Sequence, residues 1–307
     1  MTIDKIENLR KEAKKILSTG RKITLLAAGI SLLILIIIQI MLGVFLYLIN
    51  FIIPFFIFVA GMIITSIVSA KPIQEFNDAF KNMFVLKSLE KIFTDLKYEP
   101  SNGIEERVLE GTDMINTGDR FSSNDYVSGK YKNINVICSA VEIEEKHETT
   151  DDEGNKKTTW ETIFKGKWMI FDFNKSFKAN LQICQKGFGD EILNNGLYNN
   201  IKMEDQEFNN MFWINAQNDH EAFYILTPSF MEKIKKLSNT IDGTLLLCFV
   251  NNKLHVGLHN YDDSFEPDLY KEIDEEKITS EISKDIKQIT DFVDELDLDN
   301  NLFRREV

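Results

Sequence analysis

Residues 23–70 read ITLLAAGISLLILIIIQIMLGVFLYLINFIIPFFIFVAGMIITSIVSA, 48 residues without one Asp, Glu, Lys, Arg or His. At about 1.5 Å per residue a straight helix of that length would reach about 72 Å, more than twice the roughly 30 Å hydrocarbon core of a bilayer. One span is excluded, and two antiparallel spans fit. They are expected near 23–45 and 51–70, with Pro54 in the first turn of the second, where a missing N–H costs least. A signal peptide, with an apolar region of about 7–15 residues, would be shorter and would not be followed by a second span. Polar residues inside the run, among them Ser31, Gln39, Thr65 and Ser66, are uncharged. Ion pathways and proton relays rest on intramembrane ionisable groups, so a transporter or pump is not expected.

Charge sets the orientation. The first 22 residues carry seven basic side chains (Lys5, Arg10, Lys11, Lys14, Lys15, Arg21, Lys22) against Asp4, Glu7 and Glu12, a balance of +4 in a chain of −13, so the remainder sums to −17. Short Lys- and Arg-rich flanks stay in the cytoplasm. Lys71, Lys81 and Lys87 follow the second span, and the connection near residues 47–50 has no charge. Both termini are therefore expected in the cytoplasm, with the lipid bilayer as one partner. An acidic remainder argues against nucleic acid, whose binding needs a basic stripe to release counterions. Three cysteines, Cys138, Cys184 and Cys248, lie in apolar surroundings with no C-x-x-C spacing, as buried reduced thiols would.

Five regions follow along the chain. Residues 1–22 form a basic amphipathic leader, with Ile3, Ile6, Leu9, Ala13 and Ile16 at helical spacing, lying along the interface or extending the first span. Residues 23–70 are the transmembrane hairpin. Residues 71–97 are expected as a helical stalk, carrying Phe76, Phe80, Phe84, Ile92, Phe93 and Leu96 and ended by Tyr98-Glu99-Pro100. Residues 98–270 are expected as a cytosolic α+β domain built on antiparallel sheet, because from Asn133 the apolar period becomes two. Within it, residues 144–159 look like a charged hairpin tip and residues 208–214 like a strand. Thr227-Pro228 supplies a cap and first-turn proline for a helix, and Asn251-Asn252 joins two strands over 244–259. Residues 271–307 are an acidic amphipathic C-terminal helix and tail, with Ile278, Ile282, Ile286, Ile289, Val293 and Leu296 stepping by threes and fours, packed on the domain or on another copy.

No catalytic, cofactor-binding or metal residue is expected. His255 and His259 share one face of a strand but lie about 13 Å apart, too far to hold one ion. His220, beside Asp219 and Glu221, has no Ser or Cys in a nucleophile-elbow setting nearby and fits a surface helix start. The Asp151-Asp152-Glu153-Gly154-Asn155 run lacks the alternating ligands and closing Glu of a calcium loop, and no phosphate-cradling glycine motif occurs. Asn174-Lys175-Ser176 matches a glycosylation acceptor that a cytoplasmic location leaves idle.

Gly118-Asp119-Arg120, Asp125-Tyr126-Val127-Ser128-Gly129-Lys130-Tyr131, Ile163-Phe164-Lys165-Gly166, Phe173-Asn174-Lys175-Ser176-Phe177 and Ile225-Leu226-Thr227-Pro228-Ser229-Phe230 resemble the motif run of a bacterial family, domain of unknown function 3137. The resemblance extends over most of the chain. It implies two N-terminal membrane spans followed by a cytosolic domain, in a bacterial inner membrane, and no established activity. The chain departs from the family's Phe-Arg-Gly at Lys165. The motif residues Asp125, Gly129, Tyr131, Phe164, Gly166, Phe177, Thr227 and Pro228 fall at strand starts and turns, where packing explains them without a ligand. The resulting expectation is a membrane-tethered interaction or scaffold module, not an enzyme, with a protein partner or self-association through the terminal helix. The alternatives are a sensor that binds a ligand and signals through the stalk, and an enzyme of unfamiliar type.

Overall fold

The computed structural model describes residues 2–43, 47–150, 156–173, 180–188 and 198–299. They form two compact units, Met1–Val85 with Glu266–Thr279, and Leu86–Phe265 with Ser280–Val307.

In the first unit, helix α1 (Ile3–Leu42) runs unbroken from the basic leader into the apolar run and stops at Gly43, whose φ of 65° lets its N–H reach the carbonyls of Gln39 and Ile40. Helix α2 (Tyr47–Phe80) follows. Both helices are long and apolar enough to cross a membrane. Because α2 begins before residue 51, Pro54 lies inside the helix and not in its first turn, as does Pro72. Two devices hold the helices together. A Cβ at Gly20 would stand 2.6 Å from Thr65 Cγ2 and one at Gly61 2.6 Å from Thr24 Cγ2, so each threonine fills the gap left by the opposite glycine. Near the turn, Gln39 and Asn50 exchange two amide hydrogen bonds of 2.8 and 3.2 Å. Outside the apolar run, buried Arg10 grips Glu7 through two bonds of 2.8 and 2.6 Å and donates to the Leu269 carbonyl at 3.0 Å. Lys81, also buried, pairs with Glu266. These contacts tie residues 266–279 to the helical unit, a link no local pattern in the sequence announces.

The expected stalk helix is shorter than residues 71–97. A π-helical turn (Lys81–Val85) and α3 (Leu86–Glu90) end it, and residues Thr94–Glu99 form strand β1. The backbone of β1 is satisfied by antiparallel pairing with residues 126–130, which outweighs the helical spacing of Phe93 and Leu96.

The second unit is built on one antiparallel sheet of nine strands among the described residues, in the order β1-β2-β3-β4-β9-β8-β5-β7-β6. After β1 the strands are β2 (Arg120–Tyr131), β3 (Ile134–Thr150), β4 (Lys156–Asp172), β5 (Leu181–Gln185), β6 (Asn199–Asn200), β7 (Phe212–Ala216), β8 (Thr244–Val250) and β9 (Lys253–His259). The early and late strand blocks thus join in a single sheet through β4 and β9. Asn251 and Asn252 make the β8–β9 turn at φ 51° and 58°, the left-handed values a two-residue hairpin demands.

Three expectations change here. Strand β2 precedes the switch at Asn133. The segment 144–159 is paired ribbon on both sides of residues 151–155, which lie outside the described residues, with register to Thr150↔Lys156. Its charges meet across the ribbon: Arg120 bonds Glu144 at 2.7 Å and lies 3.9 Å over the Trp160 ring, and His147 lies 2.9 Å from Glu161. Finally, residues 208–214 are not one strand. Asp205 accepts the Phe208 N–H at 3.0 Å and caps the short helix α5 (Gln206–Met211), and only then does β7 begin.

Alternation splits the core between two faces. On one, Val141, Phe164, Trp168, Leu246 and Cys248 pack with Ile104, Leu109 and Met114 from the segment holding helix α4 (Glu106–Glu110). On the other, Phe249 meets Phe230 of α7 (Pro228–Thr240) at 6.1 Å and Phe171 meets Phe292 of α8 (Glu275–Glu295) at 5.9 Å. A further helix, α6 (Asp219–Ile225), precedes α7. Thr227 caps α7 by accepting the Phe230 N–H at 3.4 Å, with Pro228 at the first helical position. Thr227→Ala is expected to cost about 1 kcal/mol, read as a lower urea midpoint at unchanged slope.

Candidate functional site

Strand β1, the 100–111 segment and the β8–β9 hairpin border an open cleft of about 780 Å³ on the Trp168 face of the sheet. Ile137, Ile170 and Val250 line it from the sheet, and Ile104 and Val108 from the covering segment. The more exposed side chains are charged and already matched. Lys97 pairs with Glu99 at 2.9 Å, Arg107 with Glu105, and Lys253 with Asp172 at 2.7 Å. The Tyr126 ring lies 5.8 Å from Lys97 Nζ.

His255 is the polar group set deepest in this lining, only 6% exposed. Its strand position pairs it with Ile170 and Cys248, so its ring lies on the core face. The Trp168 indole N–H donates to His255 Nδ1 at 3.4 Å. A neutral ring that accepts at Nδ1 carries its proton on Nε2. That Nε2–H has no partner among the described residues. Burial pushes the pKa down to about 4, and the Lys253 cation adds to the effect.

This yields a pH prediction. The unfolded ring titrates near 6.5 and the folded one at about 4, so as pH falls the unfolded state takes the proton first. The stability from keeping the ring neutral is full above pH 6.5 and is lost between 6.5 and 4, roughly 3 kcal/mol in all. Urea unfolding at stepped pH should show a shallower acid limb for His255→Phe than for the wild-type chain. Identical limbs would mean that the ring is hydrated.

Among the described residues no Ser, Thr or Cys lines the cleft. The three cysteines are buried elsewhere, and burial pushes the Cys138 thiol up to about 12 and the Cys248 thiol higher still, so neither offers a thiolate. The arrangement can bind and orient a molecule through its aliphatic walls and His255. His259 lies on the same face but is engaged separately: its Nδ1 accepts the Lys165 N–H at 3.0 Å, and its ring packs against Phe164, Phe188 and Tyr261. His220 is exposed at the start of α6, its backbone N–H held by Asn218 at 2.8 Å.

The motif residues sit at joints of the sheet. Asp125, at φ 54° in an irregularity of β2, accepts from the Tyr98 hydroxyl at 2.5 Å, and its N–H donates to the Pro100 carbonyl. Gly129 lets β1 approach, since a Cβ there would stand 3.1 Å from the Thr94 carbonyl. Tyr131 donates to Asp294 of α8 at 3.1 Å. Phe164 packs on Trp168 in the core, and Gly166 passes under the Leu258 carbonyl. Lys165, in place of the arginine, pairs with Glu142 at 3.1 Å. Phe177 lies outside the described residues, as do Asp151-Asp152-Glu153-Gly154-Asn155 and Asn174.

A family model covers much of this architecture. Residues 162–298 match the Protein of unknown function (DUF3137) family. No curated protein and no solved structure matches the chain. The DUF3137 segment starts within β4 and holds Phe164, Gly166, Thr227 and Pro228, while Asp125, Gly129 and Tyr131 precede it. It also holds part of the sheet side of the cleft, Ile170, Val250, Lys253 and His255, whereas Ile137, Tyr126, strand β1 and the covering wall lie outside it. Sequence reasoning missed this cleft because its residues come from five separate stretches with no spacing in common. The available signal was His255, in the middle of β9 and flanked on both sides by apolar residues.

Proposed function

We propose that the protein is a two-span membrane protein whose α+β domain, on the cytoplasmic side of a bacterial inner membrane, works as an interaction or scaffold module and not as an enzyme. The observation that carries the reading is the surface of α1 and α2. In the apolar window of each helix only 6% of the residues are buried, and Leu25, Leu26, Leu33, Ile63 and Ile64 stand open. At about 25 cal/mol per Å² of apolar surface, exposure on that scale to water is far costlier than insertion in lipid. The basic leader and Lys71 favour the orientation with both ends inside. Recognition is favoured over chemistry because the charged side chains of the cleft are already held in ion pairs and the motif residues serve packing. Association through the apolar stripe of α8 is set aside, since Ile282, Ile286, Ile289, Phe292 and Val293 are buried. A protein partner or second copy would therefore meet other, exposed surface.

Carbonate-washed membranes should retain the chain, and protease added to intact spheroplasts should leave its C-terminal end whole. Crosslinking in native membranes should then capture a defined partner or dimer. Release by carbonate would refute the spans, trimming outside would refute the orientation, and a strict monomer with no crosslinked partner would refute the module.

A further inference from the structure

We infer that the cleft lined by His255 is a binding site for a small uncharged molecule with a flat apolar body and a hydrogen-bond acceptor, the acceptor meeting the Nε2–H of His255. The site lies wholly within the second compact unit, so the inference stands whether or not the membrane reading does.

Size comes first. At about 780 Å³ the cleft falls in the range that encloses a small organic ligand. Its lining includes five aliphatic side chains, Ile104, Val108, Ile137, Ile170 and Val250, a composition that suits a ring system better than a sugar. Removing a flat apolar body from water between such walls supplies the affinity.

His255 supplies the direction. The Nε2–H has no protein partner among the described residues and is not sealed from water, so a ligand carbonyl or ring nitrogen would take the place of solvent there. The Trp168 indole fixes which nitrogen holds the proton, so the site presents a donor and never an acceptor.

Charge decides the class. Lys97, Arg107 and Lys253 suggest an anion site from composition alone, but each already has a carboxylate partner, Glu99, Glu105 and Asp172. An anion would have to displace one of these for little gain. The ring remains neutral at pH 7, so it offers an anion no cation either.

The test uses the full chain in lipid nanodiscs and ligand-observed saturation-transfer NMR at pH 7. The probes are quinolin-2-one and quinoxaline, with quinoline-2-carboxylate as the charged counterpart. At least one uncharged probe should bind saturably with a Kd below about 1 mM. His255→Phe should weaken it by about tenfold or more, His255→Gln, which keeps an N–H, by less, and Arg107→Ala by under about twofold. Val108→Trp fills the cleft while leaving His255 in place and should abolish binding even if His255→Phe fails to fold. The inference is overturned if neither uncharged probe saturates, if the carboxylate binds more tightly than both, or if binding survives Val108→Trp unchanged.

Discussion

Asp285→Ala is expected to destabilise the sheet domain by about 3–5 kcal/mol, the range for removing one partner of a buried ion pair. Lys167 lies in β4 opposite Leu258, on the face covered by α8, and its side chain is 1% exposed. Its ammonium meets Asp285 Oδ1 at 2.9 Å and the amide oxygen of Gln288. With Asp285 truncated, a full charge stays buried against one neutral amide. The reverse variant should be milder. Lys167→Met removes the charge from the interior and leaves Asp285, whose side chain is already 17% exposed, to recover water. The double variant Lys167→Met with Asp285→Leu should come within about 1 kcal/mol of the wild-type chain, because an apolar pair of similar volume pays no desolvation cost. Urea midpoints followed by tryptophan fluorescence give all three values. A loss below about 1 kcal/mol for Asp285→Ala would show that water reaches the pair.

The same contact marks where sequence reading stops. The apolar run of residues 23–70, the Thr227-Pro228 start of α7, the Asn251-Asn252 turn and the stripe of α8 are all local: each needs only neighbours within a turn or a hairpin. Strand β1 is not local. Thr94–Glu99 has helix-like spacing, and only the free backbone of β2 makes it a strand. The ribbon beyond residue 144 was hidden for a related reason, since its exposed, charged residues lack an apolar face and draw support from pairs such as Arg120 with Glu144. Lys167 looks like a surface lysine in a strand until α8, more than a hundred residues away, brings Asp285 over it. The cleft is the extreme case, with Arg107 and His255 joined by nothing but the fold.

Gly166→Ala is expected to cost about 4 kcal/mol or more, in the range where a named steric cause is required. The cause is backbone against backbone. A Cβ on Gly166 would stand 2.0 Å from the Leu258 carbonyl oxygen, and its φ of 153° is one that side chains rarely adopt. Neither neighbour can yield. The Lys165 carbonyl, one residue away, accepts the N–H groups of Asn260 and Tyr261 at 3.1 and 3.0 Å, and the Lys165 N–H is held by His259, so the end of β9 is fastened to this point from both sides. Relief would require β9 to part from β4, the one seam joining the early strands to the late ones. Gly187→Ala is the control: its φ of 97° is also strained, but nothing among the described residues lies within 4 Å of the added carbon, so it should cost only about 1 kcal/mol. Thermal unfolding of both variants separates the two effects. If Gly166→Ala falls no further than Gly187→Ala, the packing reading of Gly166 fails.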